Sequence, residues 1–218
     1  MPVLTRLRAH LRLRQRLRPS AAVNADEELA WWLREWDPAA GEDQRWERAH
    51  DAVAMVLRES GIKDTIFFDG KVVVDIGPGA LGFPDACPAR VSIGVDPLAQ
   101  RFADAGLLLA SDAIYLAARA EAIPLVSGSA DVVLARNSLD HVDDPRAALA
   151  EARRLLRPGG TLILNFDVDH TPTPTEPHAL DAHEVRSWLA PMEVVFADRW
   201  PHPHGRDGHA VVLVAVQP

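Results

Sequence analysis

The sequence predicts an α/β fold built on a doubly wound, mostly parallel β-sheet. The first observation is that short apolar segments alternate with helical segments after residue 70, which is typical of parallel strands joined by helices. The second is a glycine-containing turn at residues 77–82, directly after the first apolar segment. The third is a pair of adjacent strands at the end of the chain. The predicted parallel strands are residues 72–75, 90–95, 113–120, 130–135 and 161–166.

Two connections support this assignment. Asp144 and Pro145 are typical of a helix start and Pro158-Gly159-Gly160 of a helix stop, so a helix is expected before the fifth strand. Residues 193–199 and 209–216 both have the composition of strands, and the connection between them is too short for a helical crossover. These two segments are therefore expected to form an antiparallel hairpin.

Residues 1–65 predict a basic arm followed by two helices. The first helix starts after Asn24 or Asp26, and the second covers about residues 42–60. Four of the six tryptophans lie in these helices, where they are expected to pack between helices or to cover a substrate pocket. This extension precedes a sheet domain of residues 66–218. The apolar face of the first helix comprises Leu29, Trp32, Leu33 and Trp36.

Charge and composition limit the classes of partner. The net charge is −8, but the arm of residues 1–18 carries six arginines and no acid, which leaves −14 on the rest of the chain. An acidic body repels nucleic acid, so no nucleic-acid partner is expected. The arm is interpreted as a solvated terminus, a transit-peptide-like segment, or a contact for a partner or a membrane surface. No apolar run is long enough for a transmembrane segment and Cys87 is the single cysteine, so a cytoplasmic location is expected.

The glycine turn predicts a ligand site. Gly77, Gly79 and Gly82 fit the G-x-G-x-x-G spacing of dinucleotide sites, which alone is weak evidence. Asp75 lies two residues before the turn, and its negative charge favours a ligand that carries a cation over a pyrophosphate. Asp96 ends the second strand, where a carboxylate can accept the hydroxyls of a ribose, although Asp96 also precedes a typical helix start.

These motifs in combination resemble the class I S-adenosylmethionine-dependent methyltransferases, and among them the small-molecule group. The resemblance covers roughly residues 70–218. It implies a seven-stranded Rossmann-like sheet with the terminal hairpin, and it makes residues 66–218 the S-adenosylmethionine-binding domain. The segments that carry it are Asp75-Ile-Gly-Pro-Gly, Gly94-Val-Asp-Pro, Ala120-Glu-Ala-Ile-Pro, 130–134 with Asn137-Ser-Leu-Asp-His-Val, and Leu155-Leu-Arg-Pro-Gly-Gly.

The resemblance also implies residue roles. Asp75 would lie near the ammonium of the cofactor, Asp96 at its ribose and Asn137 under its methionyl end. One departure is Arg119, which stands where many relatives have an acid that reaches the adenine amino group. Adenine recognition is then expected to use backbone atoms or Glu121. The implied cofactor-binding residues are Asp75, Gly77, Pro78, Gly79, Asp96, Pro97, Ala120, Glu121 and Asn137.

The predicted reaction is methyl transfer to a hydroxyl or an amine of a small molecule. A hydroxyl acceptor benefits from a general base, and histidine is the usual choice because its pKa lies near neutral pH. His141, in the loop after the fourth strand, and His178, after the fifth, are the candidates; each is otherwise interpreted as a structural histidine. His202, His204 and His209 lack the compact spacing of metal ligands, so no metal is expected.

Two alternatives remain open on the sequence. A nicotinamide-dependent oxidoreductase fits the glycine spacing and Asp96, but not Asp75 or the terminal hairpin. A non-enzymatic module with the same fold, docking on a partner through residues 1–18, is favoured by Arg119 in place of the usual acid.

Overall fold

A single seven-stranded sheet organises the computed structural model, which describes residues 25–36, 41–202 and 207–218. Its strands are β1 (Val72–Ile76), β2 (Val91–Val95), β3 (Ile114–Leu116), β4 (Ala130–Arg136), β5 (Leu156–Val168), β6 (Glu193–Pro201) and β7 (His209–Val216). They lie in the order β3-β2-β1-β4-β5-β7-β6. The five strands from β3 to β5 are parallel, whereas β7 pairs antiparallel with both β5 and β6. The predicted fold class, including the terminal hairpin, is confirmed.

The helices cover both faces of the sheet. They are α1 (Ala25–Glu35), α2 (Glu42–Ser60), α3 (Phe83–Ala86), α4 (Ala99–Asp104), α5 (Pro145–Leu155) and α6 (Ala182–Trp188). Gly61 ends α2 in the left-handed conformation at a φ of 69°, and Asp144 caps α5 by accepting the N–H of Ala147. The predicted arm at residues 1–18, the Asn24 cap and His204 lie outside the described residues.

Successive side chains of each central strand pack into two different hydrophobic clusters, one on each face of the sheet. Val73 and Leu134 face α2 in one buried cluster, while Val74 and Val133 face α5 and α6 in the other. Because successive side chains of a strand point to opposite faces, a strand buried on both faces is apolar throughout. This explains why the central strands read as continuous apolar runs rather than alternating ones.

The order of the strands positions the site. Connections leave β1 toward β2 on one side, and β4 lies on the other side of β1. In an open parallel sheet, ligands bind at the carboxyl ends of the strands where the strand order reverses in this way. The ends of β1, β2 and β4 therefore define the candidate site.

Two strands differ from their predicted bounds by more than two residues. Strand β3 is limited to Ile114–Leu116, shorter than the predicted 113–120, because the chain leaves the edge of the sheet and Ala120 turns toward the site. Strand β5 starts at Leu156, and Pro158-Gly159-Gly160 lies within an irregular start of that strand instead of ending the helix. Gly159 has a φ of 73°, which lets the chain form this irregularity.

Helix α1 buries less of its predicted face than expected. Trp32 is buried, whereas Leu33 is 40% exposed. The contact with the sheet domain is centred on Trp32, with Leu29 and Trp36 one turn to either side, so Leu33 lies at its border. Within the described ranges, no helix is long and apolar enough to cross a membrane.

The core contact between α5 and the sheet gives a stability prediction. Leu149 is 1% exposed, and shortening it to alanine removes apolar contacts and leaves a cavity. We expect Leu149→Ala to lower the free energy of unfolding by about 2–5 kcal/mol in urea denaturation. Val126→Ala is the control, because Val126 is 78% exposed and should change that energy by less than about 0.5 kcal/mol. Equal effects of the two variants would contradict this packing.

Candidate functional site

A cavity of about 770 Å³ lies at the carboxyl ends of β1, β2 and β4 and beneath α1. Eight of the nine sequence-predicted cofactor residues line it, and so does His141. The lining residues from the prediction are Gly77, Pro78, Gly79, Asp96, Pro97, Ala120, Glu121, Asn137 and His141. Asp75 and His178 are not among the residues that line this cavity.

The turn after β1 is held from two sides. Gly77 has a φ of 69° and donates its N–H to the carbonyl of Val95, which joins the tips of β1 and β2. From the β4 side, the Ser138 hydroxyl donates to the carbonyl of Ile76 at 2.9 Å. A Cβ atom at Gly77 would overlap the Cβ of Ser138, so glycine is required here by both conformation and space.

The second glycine of the turn lies against a tryptophan from the N-terminal extension. Gly79 has a φ of 56°, and a Cβ atom built on it would overlap the Trp32 ring. The Trp32 ring packs edge-on to Phe102 and its Nε1 donates to Glu28 at 3.0 Å. Helix α1 is thereby fixed against the glycine turn, and Trp31 and Trp32 both line the cavity. The tryptophans combine the two roles considered for them, packing and covering the pocket.

Asp96 connects the glycine turn to the start of α4. Its Oδ2 accepts the N–H of Gly79 at 3.1 Å, and its Oδ1 accepts the N–H of Leu98 at 2.8 Å. The residue is 7% exposed, and burial raises the pKa of Asp96 to about 6 although these two N–H groups oppose the shift. Each oxygen keeps a lone pair, so the carboxylate can still accept a hydroxyl from a ligand in the cavity.

Asp75 lies one layer behind the cavity, within the sheet. It pairs in register with Gly94 of β2 and Leu134 of β4 and is 4% exposed. Burial raises its pKa to about 7, and the positive charge of Arg136 opposes that rise. Its Oδ1 atom is buried and has no hydrogen-bond partner within the described part of the chain. An ionised Asp75 would therefore favour a cation at the adjacent end of the cavity.

Glu121 and Arg119 hold the loop that closes the cavity beside α5. Glu121 Oε1 accepts the N–H groups of Asp143 and Asp144, at 2.8 and 3.1 Å, and its Oε2 lies 3.3 Å from Arg119 Nε. Arg119 also forms an ion pair with Asp143. Both oxygens of Glu121 are thus engaged in holding this loop, which favours backbone atoms for any adenine contact in preference to Glu121.

The two predicted bases have different surroundings. His141 lines the cavity beside Asn137, which adopts a positive φ of 45° and donates its N–H to the carbonyl of Asn165. His178 lies with its Nε2 2.8 Å from the carbonyl of Val142, so its ring contacts the loop that follows His141. Of the predicted bases, His141 alone reaches the cavity wall among the described residues.

Several lining residues were missed by the sequence analysis. Arg136 has its Nε 3.7 Å from Glu59 of α2, and Glu28 approaches Asp96 closely enough to raise the pKa of Asp96. Signals existed for Ser138, which lies inside the recognised motif after β4, and for Trp31 and Trp32, which belong to the tryptophans expected to pack or to cover a pocket. Within the described residues, no group of three or more His, Cys, Asp or Glu side chains has the arrangement of a metal site. The lining residues outside the prediction include Glu28, Trp31, Trp32, Arg136, Ser138 and Glu176.

Comparison with known proteins agrees with this geometry. Residues 74–164 match the family model for a methyltransferase domain. An uncharacterized methyltransferase from Mycobacteroides abscessus is 31% identical over 126 residues, which are 55% of this chain and 49% of the relative. Another, from Mycobacterium sp. strain JLS, is 36% identical over 125 residues, 55% of this chain and 48% of the relative. The chain therefore spans about half the length of these curated relatives.

Solved structures share the fold. A putative methyltransferase from Bacillus halodurans superposes with a TM-score of 0.56 at 15% identity, over 77% of this chain and 99% of that one. The [4+2]-cyclase SpnF superposes with a TM-score of 0.60 at 17% identity, over 77% of this chain and 80% of that one. At these identities the likeness concerns the fold alone. Residues 74–164 are thus similar in sequence to a methyltransferase domain, and the sheet has the fold of the solved methyltransferase structures.

The contact between Gly79 and Trp32 gives a second stability prediction. We expect Gly79→Ala to lower the free energy of unfolding more than Gly70→Ala, because both glycines have a positive φ but Gly70 has open space around it. The backbone conformation alone costs about 1–2 kcal/mol, and the overlap with the ring adds to this. The measurement is urea denaturation of both variants.

Shortening Trp32 separates the two contributions. In the Trp32→Ala background, the additional loss caused by Gly79→Ala should approach that of Gly70→Ala. If Gly79→Ala costs no more than Gly70→Ala in the unaltered protein, then the Trp32 ring does not rest on the glycine turn.

Proposed function

We propose that this domain transfers the methyl group of S-adenosylmethionine to a hydroxyl or an amine of a small molecule. The observation that carries the proposal is that a glycine turn and a ribose-type carboxylate line one cavity, with the buried acid Asp75 behind it. The family match supports methyl transfer over the nicotinamide-dependent alternative, in which Asp75 would lie beside a pyrophosphate.

The residues present fit this cofactor. The unpartnered Oδ1 of Asp75 suits the ammonium of the methionyl end, and the free lone pairs of Asp96 suit the ribose hydroxyls. Gly77, Gly79 and Asn137 would hold the methionyl part through the backbone. Pro97, Ala120 and the apolar rings of α1 would border the adenine.

The chemistry follows from a methyl group carried on a sulfonium. An acceptor lone pair forms the bond to the methyl carbon, the electrons of the broken bond stay on sulfur as S-adenosylhomocysteine, and the acceptor releases its proton. The protein aligns the acceptor, excludes water and receives that proton. His141 is the side chain proposed to receive it, and His178 is proposed to hold the loop that carries Val142.

The small-molecule acceptor is supported by the shape and charge of the site. Helix α1 covers the glycine turn, and the acceptor is proposed to lie beside the lining residues Trp31, Arg34 and Glu176. The acidic composition opposes a polyanionic acceptor. A 50-residue segment is 46% identical to the Malonyl-[acyl-carrier protein] O-methyltransferase of Hahella chejuensis, 23% of this chain and 18% of that protein, and this supports an oxygen acceptor.

Ligand titration tests the cofactor assignment. We expect purified protein to bind S-adenosylmethionine and S-adenosylhomocysteine in isothermal titration calorimetry, and not NADH. Asp96→Ala should weaken both by at least about tenfold, because it removes a charged acceptor of hydrogen bonds. Asp69→Ala is the control, since Asp69 is exposed and outside the cavity. Binding of NADH in place of both sulfur ligands would contradict the proposal.

The pH dependence of this binding is a separate prediction. Burial raises the pKa of Asp75 to about 7 and that of Asp96 to about 6, and the proposed contacts, the ligand's ammonium near Asp75 and its ribose hydroxyls at Asp96, favour the ionised forms. Binding therefore releases protons, and affinity for S-adenosylhomocysteine should fall as the pH decreases from 8 through about 7 and about 6. The limiting slope is about tenfold per pH unit for each group that must be ionised.

The raised pKa values of Asp75 and Asp96 have the opposite effect on the stability of the ligand-free protein. Its stability should decrease as the pH rises from about 4 to about 7, because both carboxyls lose a proton that the folded state favours.

Asp75→Asn should flatten the high-pH part of the curve of S-adenosylhomocysteine affinity against pH. An affinity that is constant or that increases toward pH 5.5 would show that neither carboxylate contacts the ligand in its ionised form.

A further inference from the structure

Asp140 is a buried acid between two histidines, in the turn that follows β4. Its side chain is 1% exposed, with Oδ1 3.8 Å from His141 Nε2 and Oδ2 3.8 Å from His170 Nε2. All four of these atoms are buried and lack a hydrogen-bond partner in the described part of the chain. A carboxylate and two imidazoles therefore face each other away from water.

This arrangement differs from an ordinary packed core. Buried polar atoms are almost always hydrogen-bonded, because burying them unpaired is unfavourable. Here each oxygen faces an imidazole nitrogen, and one proton added to either ring turns the contact into an attraction between opposite charges. The cluster is thus arranged to stabilise a protonated histidine.

The cluster has one end at the cavity. His141 lines the cavity, whereas Asp140 and His170 are not among the lining residues, so the order from the cavity is His141, Asp140, His170. His141 Nε2 faces Asp140, which leaves Nδ1 as the ring nitrogen that can take a proton from a ligand.

We propose that Asp140 is a positioning residue that holds His141 as the proton acceptor for a hydroxyl group, with His170 as the second partner of the same carboxylate. The inference rests on the proposed methyltransferase function and narrows its acceptor class to hydroxyls. The acceptor O–H proton passes to His141 Nδ1, the oxygen lone pair forms the bond to the methyl carbon, and the sulfur keeps the electrons of the bond that breaks. The imidazolium that results is balanced by Asp140.

A histidine paired with a carboxylate increases the reactivity of a hydroxyl acceptor more than that of an amine. A neutral amine attacks with its lone pair and can lose its proton afterwards, whereas an alcohol or phenol is a weak nucleophile until its proton is removed. A paired histidine at the cavity wall is therefore of more use to an oxygen acceptor than to a nitrogen one.

Two further acids contribute to the electrostatics around Asp140. Burial raises the pKa of Asp140, a protonated His141 opposes that rise, and Glu176 and Asp167 add to it. Glu176 lines the cavity, and Asp167 Oδ2 lies 2.9 Å from His202 Nε2. The groups that face Asp140 are thus two histidines and two further acids, and the acids attract a positive charge on the imidazole.

Histidine titration by NMR tests the positioning role without turnover. The full chain is labelled with ¹⁵N-histidine, saturated with S-adenosylhomocysteine and titrated, and the His141 signals are assigned with His141→Gln. Relative to the unaltered protein, Asp140→Asn should lower the pKa of His141 by at least about one unit, a tenfold change in proton affinity. Asp69→Asn should leave it unchanged.

His170→Gln provides a second variant in case Asp140→Asn does not fold. It keeps the carboxylate but removes its second partner, so the His141 pKa should change while the protein still binds S-adenosylhomocysteine. A His141 pKa that stays within about 0.3 unit of the unaltered protein's value in both variants would overturn the positioning role.

Methyl transfer to two probes tests the acceptor class. With phenol, Asp140→Asn should lower kcat at least tenfold and shift the acidic limb of the pH profile, with the KM for S-adenosylmethionine unchanged. With aniline, whose amine is uncharged at neutral pH, the variant should change turnover by less than threefold. Turnover of aniline but not of phenol, or equal losses with both, would overturn the hydroxyl assignment.

The titration also separates this inference from the proposed function. Failure of the unaltered protein to bind S-adenosylhomocysteine would contradict the methyltransferase function, and the His141 titration of the ligand-free chain would still decide the role of Asp140. Binding of S-adenosylhomocysteine with an unshifted His141 would leave the function standing and overturn the role of Asp140.

Discussion

The geometry of the site depends on the two hydrogen bonds that the Asp96 carboxylate accepts. The carboxylate accepts backbone N–H groups from Gly79 and Leu98, and so it ties the turn after β1 to the start of the helix after β2. Gly77 and Gly79 both have a positive φ, a conformation that the backbone keeps only when neighbouring groups hold it. Trp32 can rest against Gly79 because this turn is fixed and lacks a Cβ at that point.

The parts of the site that lie close together in sequence were predictable. Gly77, Gly79 and Asp96 belong to strand ends and turns whose residue types are set by local backbone requirements, so the pattern is visible without a structure. The five parallel strands were predictable because each is a continuous apolar run. The limits of β3 and β5 were not, because edge pairing and the irregular start at Pro158-Gly159-Gly160 depend on neighbouring strands.

Contacts between residues that are distant in sequence could not be predicted from a single chain. The sequence predicted that Trp32 lies on the apolar face of a helix. Its contact with Gly79 could not be predicted, because that contact depends on how α1 packs on the sheet domain. Likewise, His170 carries no local sign that it faces Asp140, because the turn after β4 and the loop after β5 meet only in the folded sheet. His178 shows the converse: its position after a strand predicted a role at the site, but its ring contacts the carbonyl of Val142.

The buried acids at the carboxyl ends of the parallel strands connect these features. Four aspartates are buried in this protein within the described residues: Asp75, Asp96, Asp140 and Asp167. Each lies near the carboxyl end of a different parallel strand, and burial opposes the ionisation of the first three. Burying several acids at one edge is unfavourable in the absence of positive charge. Under the proposed function, a ligand with an ammonium and a sulfonium would supply positive charge there, and so would a histidine that gains a proton during the reaction. The unfavourable burial would then contribute to affinity and to proton transfer.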